Sequence, residues 1–266
     1  MKCYLKMHKL SFFSIMILTI WAIYIFIICS NETLINNDPM IMYYHMITDL
    51  NLYYIPILSP LFVIIPAIYQ FHSKLHSGII KEYLTRTKYQ EYMKKEYVNS
   101  IKCSLILPLF VVLLVIFSCI ITKSTSFGIG VDLYGYLFGS PEKQYADMMG
   151  MYIVIYLLNI SIYSIFYINI GLIFSKKYSN LLVSIILSYL AFIGIDIFLE
   201  VFLSKFLNLF INFDFHPIFN LFNIWTYHKV DNIYLTLITS ISLVVASFIV
   251  LYITYGKKEK VIIASE

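Results

Sequence analysis

Long apolar runs separated by short polar ones dominate this chain. Six stretches meet or approach the roughly twenty residues that a helix needs to cross the hydrocarbon layer of a bilayer. They are residues 10–29, 52–71, 103–122, 151–174, 181–203 and 233–255. Five of the six contain no Asp, Glu, Lys or Arg, each of which would cost about 2.5–3.5 kcal/mol at a helix centre on insertion scales. The pattern predicts an all-α membrane protein of six transmembrane helices, forming one domain over residues 1–266.

Composition agrees with a bilayer as the solvent. Of 266 residues, 60% are hydrophobic and 13% charged, and the mean hydropathy is +0.80, which excludes an ordinary soluble domain with its usual quarter of charged residues. Nine Gly and seven Pro leave no flexible linker or Pro-rich tail to divide the chain. Arg86 is the only arginine against eighteen lysines, and Ile, Asn, Tyr and Phe are abundant, a bias typical of an AT-rich bacterial genome. Cys3, Cys29, Cys103 and Cys119 form no C-x-x-C and no metal-ligand spacing, so free thiols are expected and no metal or other cofactor is.

The first apolar run follows Lys2, Lys6 and Lys9 as a signal peptide would. It is longer than a usual h-region, and Ile27-Ile28-Cys29-Ser30 is no small-residue cleavage site, so it is expected to remain as an anchor. Lysine and arginine then orient the spans. Residues 1–9, 72–102, 175–180 and 256–266 hold fifteen of them, whereas 30–51, 123–150 and 204–232 hold four. The positive-inside rule places both termini in the cytoplasm, and with the compositional bias the expected location is a bacterial cytoplasmic membrane.

Two segments between spans carry more information than the spans do. The first, residues 72–102, places apolar or aromatic residues at 79/80, 83/84, 89, 92/93 and 97, with Lys81, Glu82, Arg86, Lys88, Glu91, Lys94, Lys95 and Glu96 between them. Two short amphipathic helices with a break near residues 85–88 fit that spacing. Such a segment can rest on anionic headgroups, or it can dock a soluble partner, which would explain aromatic residues interleaved with both charge signs. The second segment, residues 204–232, is too rich in Phe, Leu and Ile for a hydrated loop and too often interrupted by Asn, Asp214 and Pro217 for a span. A re-entrant or interfacial hairpin accommodates both, with Trp225 and Tyr227 at headgroup level.

With Ser77-Gly78, then Glu82-Tyr83-Leu84-Thr85-Arg86-Thr87, then Tyr89 and Tyr92 to Lys95, the chain resembles the membrane subunit of ABC type 2 exporters, the ABC-2 permease family. The resemblance implies six helices with both ends inside and a coupling helix between helices 2 and 3. Glu82, Arg86, Thr87, Lys88, Tyr89, Glu91 and Tyr92 would then form or flank the surface that meets a separate ABC ATPase subunit. It also implies a re-entrant cap between helices 5 and 6, containing Phe213, Asp214, Pro217 and Trp225, and a homodimer or a heterodimer with a sister permease. A departure is the N-terminus, where nine residues before the first span leave little room for that family's amphipathic elbow helix.

Asp196 and Glu200 are four apart in the fifth span and are expected on one helix face. Intramembrane acids are costly, and they line a substrate pathway, bind a cation or relay protons. Alternatively, Glu200 reaches the outer interface and Asp196 hydrogen-bonds a Ser or Asn of a neighbouring helix. His72 and His76 lack a third metal ligand and are expected on a solvated face, and Pro56, Pro60 and Pro66 are expected to bend the second span. No G-x-x-x-x-G-K-[ST] and no G-x-S-x-G occurs, so ATP hydrolysis by this chain and nucleophile-elbow chemistry have no support. The expectation is a non-enzymatic permease subunit that exports an amphipathic substrate such as a peptide, antibiotic or lipid, in contact with membrane lipids and not with nucleic acid. Its alternatives are an immunity or accessory protein that binds a toxin or partner without transport, and an intramembrane enzyme.

Overall fold

The computed structural model describes residues 2–30, 54–76, 88–123, 149–210 and 233–256. The described residues are almost entirely helical, with no strand among them, as the apolar spacing predicts. In chain order the elements are α1 (Lys2–Ser30), α2 (Tyr54–His76), α3 (Tyr89–Ile101), a 3₁₀ turn (Lys102–Leu105) and α4 (Ile106–Thr122). After these come α5 (Met149–Lys177), α6 (Leu181–Ile197), a π turn (Phe198–Leu203), α7 (Ser204–Asn208) and α8 (Ile233–Tyr255).

Local chemistry explains several boundaries. Pro108 cannot donate to the carbonyl of Ser104, and its ring crowds that carbonyl, so the helix tightens into the 3₁₀ turn just before it. The helix does not stop there, and Tyr89–Thr122 forms one rod of 34 residues. At its far end Lys123 adopts φ 53, a left-handed residue that terminates α4. Asn180 starts α6, its side-chain oxygen accepting from the Leu182 amide at 2.9 Å. α2 continues through Pro60 and Pro66 without a break in the helix.

Among the described residues five helical stretches are long and apolar enough to cross a membrane: Phe12–Ser30, Tyr89–Thr122, Val154–Lys177, Leu181–Asn208 and Thr236–Tyr255. The expected span at residues 52–71 falls largely on α2, a helix of 23 residues. α2 and α5 occupy the middle of the bundle: α2 packs on α1, α3, α4, α5 and α6, and α5 also packs on α8 and α6. Gly171 permits the closest approach of the central pair, since a Cβ there would stand 2.7 Å from Ile68 Cγ2 and 3.3 Å from Ile64 Cγ2.

The distribution of polarity is that of a chain solvated by lipid. Phe12, Ile20, Leu109, Leu182, Phe202 and Ile253 lie on the outer surface, while Ser118, Asn159, Ser164, Asn169, Ser184 and Ser240 are buried. Small polar residues let helices approach closely where apolar burial from water gives no driving force. Many of the serines satisfy themselves within their own helix, as Ser164 does by donating to the Ile160 carbonyl at 2.8 Å and Ser118 to that of Val115 at 2.7 Å.

Candidate functional site

At one end of the bundle α2 finishes, α3 and α6 begin, and α5 and α8 finish, so His72, Lys74, His76, Lys88, Lys94, Lys95, Lys176 and Lys177 collect there. Of the residues expected to couple to a partner, Glu82, Arg86 and Thr87 lie outside the described residues, as does the first of the two expected amphipathic helices. Lys88, Tyr89, Glu91 and Tyr92 lie within them. Lys88 is extended (φ −64, ψ 135) and immediately precedes α3, whereas the rest of the break expected near residues 85–88 lies outside the described residues. The second amphipathic helix is real but is not a separate element, because it runs directly into the apolar rod.

α3 buries Tyr92, Glu96, Asn99 and Ser100 and exposes Lys88, Glu91, Lys95 and Val98. The buried set recurs every three to four residues and so marks one face of the helix, while the exposed residues, Gln90 and Lys94 among them, occupy the rest of its circumference. The buried face is tied to three neighbours. The Lys74 ammonium of α2 donates to both carboxylate oxygens of Glu96, at 2.7 and 2.8 Å, and Ser100 donates to the α2 carbonyl of Ala67 at 3.1 Å. The Tyr97 hydroxyl donates to Asn169 Oδ1 of α5 at 3.0 Å, and the Asn169 amide passes the chain on to Ser247 of α8 at 2.9 Å. The Tyr89 hydroxyl donates to the carbonyl of Tyr255, whose own hydroxyl donates to Leu172 at 2.6 Å. Lys176 donates to the Thr254 carbonyl and sits 5.2 Å from the Tyr255 ring centroid.

The structure overturns the expectation that His72 and His76 occupy a solvated face. His72 is buried, and its Nε2 donates to the Tyr178 carbonyl at 3.0 Å, while His76 Nε2 donates to the Ser175 carbonyl at 2.9 Å. A carbonyl accepts only, so each ring carries a proton on Nε2. Both reach the end of α5, where a helix leaves carbonyls without intrahelical donors. Burial holds the His72 pKa below its ordinary value, against the raising effect of its bond to Tyr178, and the nearby His76 lowers it further.

Between α3 and α8 lies a half-open cavity of about 430 Å³, floored by Phe71 and Leu172. Met93 and Tyr97 of α3 and Leu251 and Tyr255 of α8 supply its apolar walls, and Gln90 and Lys94 its polar rim. Neither the cavity nor the tie points of α3 were singled out from the sequence. The available signal was the placement of opposite charges, Lys74 and Glu96, toward the adjoining ends of consecutive antiparallel helices.

The opposite half of the bundle holds the intramembrane acids. Asp196, 4% exposed, lies at the end of α6, one turn beyond Phe192, whose ring packs edge-on against Tyr167 at 4.9 Å. The Asp196 carboxylate is close enough to act electrostatically on Tyr167, whose ring is 6.5 Å from that of Tyr163. Glu200 lies within the π turn and is partly exposed. One turn before Tyr163 on α5, Asn159 is fully buried, and neither polar atom of its amide has a hydrogen-bond partner among the described residues. Phe213, Asp214, Pro217 and Trp225, the expected outer cap, lie outside the described residues. Among the described residues no three His, Cys, Asp or Glu side chains converge as a metal site would require. Comparison with protein-family models, with curated proteins and with solved structures finds no match.

Proposed function

We propose that this chain is the permease subunit of an ABC exporter in a bacterial cytoplasmic membrane, with six spans, both termini cytoplasmic, and a second permease copy or sister as its partner. A separate ATPase would supply the energy, and the cargo would be amphipathic. The observation that carries this reading is the mechanical continuity of Tyr89–Thr122. Its first turns expose Lys88, Glu91 and Lys95 to a partner, while their inner face is fastened to α2, α5 and α8 through Glu96, Tyr97 and Tyr89. A push on the exposed stripe would therefore reach three membrane helices without passing through a flexible joint, as a two-state bias on the bundle requires.

Asp196, with Tyr163 and Tyr167 beside it, offers the buried polar surface on which a pathway through α5 and α6 would draw. The alternative of a membrane protein that captures a toxin or partner without transport uses the same exposed stripe and needs no nucleotide. Purification of the tagged chain from its native membrane separates the two. A P-loop ATPase should accompany it, and its turnover should change on Tyr89→Phe; purification without any nucleotide-binding protein would remove the exporter reading.

A further inference from the structure

The geometry points to a binding site for one anionic phospholipid in the cavity between α3 and α8. Helical geometry turns successive side chains by about 100°, so Gln90, Met93, Lys94 and Tyr97 form a stripe beside the outward stripe of Lys88, Glu91 and Lys95. This second stripe faces the cavity. The charges on the lining are unequal. Glu96 is neutralised by Lys74 at 2.7 Å, whereas Lys94 is exposed and has no ion pair or hydrogen bond among the described residues. Lys176, above the Tyr255 ring, adds a second cation behind the same wall.

The cavity thus presents a positive rim over apolar walls, at the lysine-rich end of helices long enough to cross a membrane. A phosphodiester at the Lys94 ammonium and the Gln90 amide, with an acyl chain along Met93, Phe248 and Leu251, matches both the charge and the polarity gradient. About 430 Å³ falls within the range of small-ligand pockets and admits a headgroup with part of one chain. A wholly aqueous anion would leave the apolar wall uncovered, and a neutral lipid would leave Lys94 uncompensated. A lipid seated there would brace the start of α3 against α8, next to the Tyr89 to Tyr255 bond. The site requires only that the chain sit in a membrane, and it stands or falls separately from the ATPase.

Native mass spectrometry of the purified full chain in detergent, titrated with phosphatidylglycerol or with phosphatidylcholine of the same acyl chains, tests the site. One phosphatidylglycerol should bind at least about tenfold more tightly than phosphatidylcholine, as expected for one charge-assisted hydrogen bond. Lys94→Gln should abolish that preference and Met93→Trp should exclude the lipid, while Lys95→Gln, one position away and outside the cavity, should leave both unchanged. Equal binding of the two lipids, full retention by Lys94→Gln, or an equal loss with Lys95→Gln would overturn the proposal, the last by reducing it to general surface attraction. Displacement by inorganic phosphate alone would overturn it too, showing a free-anion site.

Discussion

The Lys74 ammonium and the Glu96 carboxylate meet at 2.7 Å across α2 and α3, with side chains only 11% and 7% exposed. A buried pair of this kind contributes little over an apolar pair of the same shape, but removing one member strands the other's charge at a cost of about 3–5 kcal/mol. Lys74→Met should therefore lower the thermal unfolding temperature in detergent sharply. Lys74→Met combined with Glu96→Leu should recover most of the loss. Additive losses in the double variant would mean that the two residues act independently.

A pH dependence follows from His72. Its pKa is lowered from 6.5, so the folded state favours the neutral ring and the unfolded chain binds the extra proton. Stability from this group is complete above the unfolded value and is lost as pH falls through about 6.5 toward the lowered folded value. Unfolding temperatures measured between pH 8 and pH 5 should drop on acidification, and His72→Asn should flatten that drop. An unchanged profile in the variant would assign the dependence to other groups.

Gly171 tests the contact between the two central helices. Alanine gains about 1 kcal/mol in helix propensity, but its Cβ would fall 2.7 Å from Ile68 Cγ2, a β-branched methyl whose rotamer is restricted in a helix. Overpacking of this kind costs about 1–3 kcal/mol. Gly171→Ala should lower the unfolding temperature, and Ile68→Ala in the same chain should relieve the clash. A rise in stability with Gly171→Ala alone would contradict the close approach.

Asn159 makes the opposite prediction. A buried amide without a partner costs about 1–3 kcal/mol, and leucine has a similar shape. Asn159→Leu should raise the unfolding temperature, and under the exporter reading it should slow transport, because Asn159 continues the polar line of Tyr163 and Tyr167. A drop in stability would show that the amide is satisfied in the folded protein.

The helices themselves were legible in the sequence because lipid-facing stretches such as Leu105–Thr122 leave no alternative to internal backbone pairing. The amphipathic start of α3 was legible as well, since Tyr89, Tyr92, Met93 and Tyr97 recur at helical spacing, although Glu96, read with the charged positions between them, proves to be buried. The partners of that face were not. Whether Glu96 meets Lys74 depends on the depth at which two antiparallel helices stop, which no local pattern records. His72 and His76 misled because their neighbours in sequence are polar, whereas their positions answer the open carbonyls of Ser175 in the last turn of α5 and of Tyr178 just beyond it. The π turn after Asp196 left no periodic trace, as one widened turn among apolar residues preserves composition.

Charge reversal on the outward stripe of α3 tests the central claim most directly. The full chain, and a variant carrying Lys88→Glu and Glu91→Lys, are each purified from native membranes, and the ATPase that accompanies them is quantified. Both substitutions lie on exposed positions, so the unfolding temperature should not change. The account predicts an ATPase in stoichiometric amount with the wild-type chain and a loss of at least about tenfold with the reversed stripe, since like charges brought together at an interface cost several kcal/mol. Equal recovery from both, or none from the wild type, would contradict it.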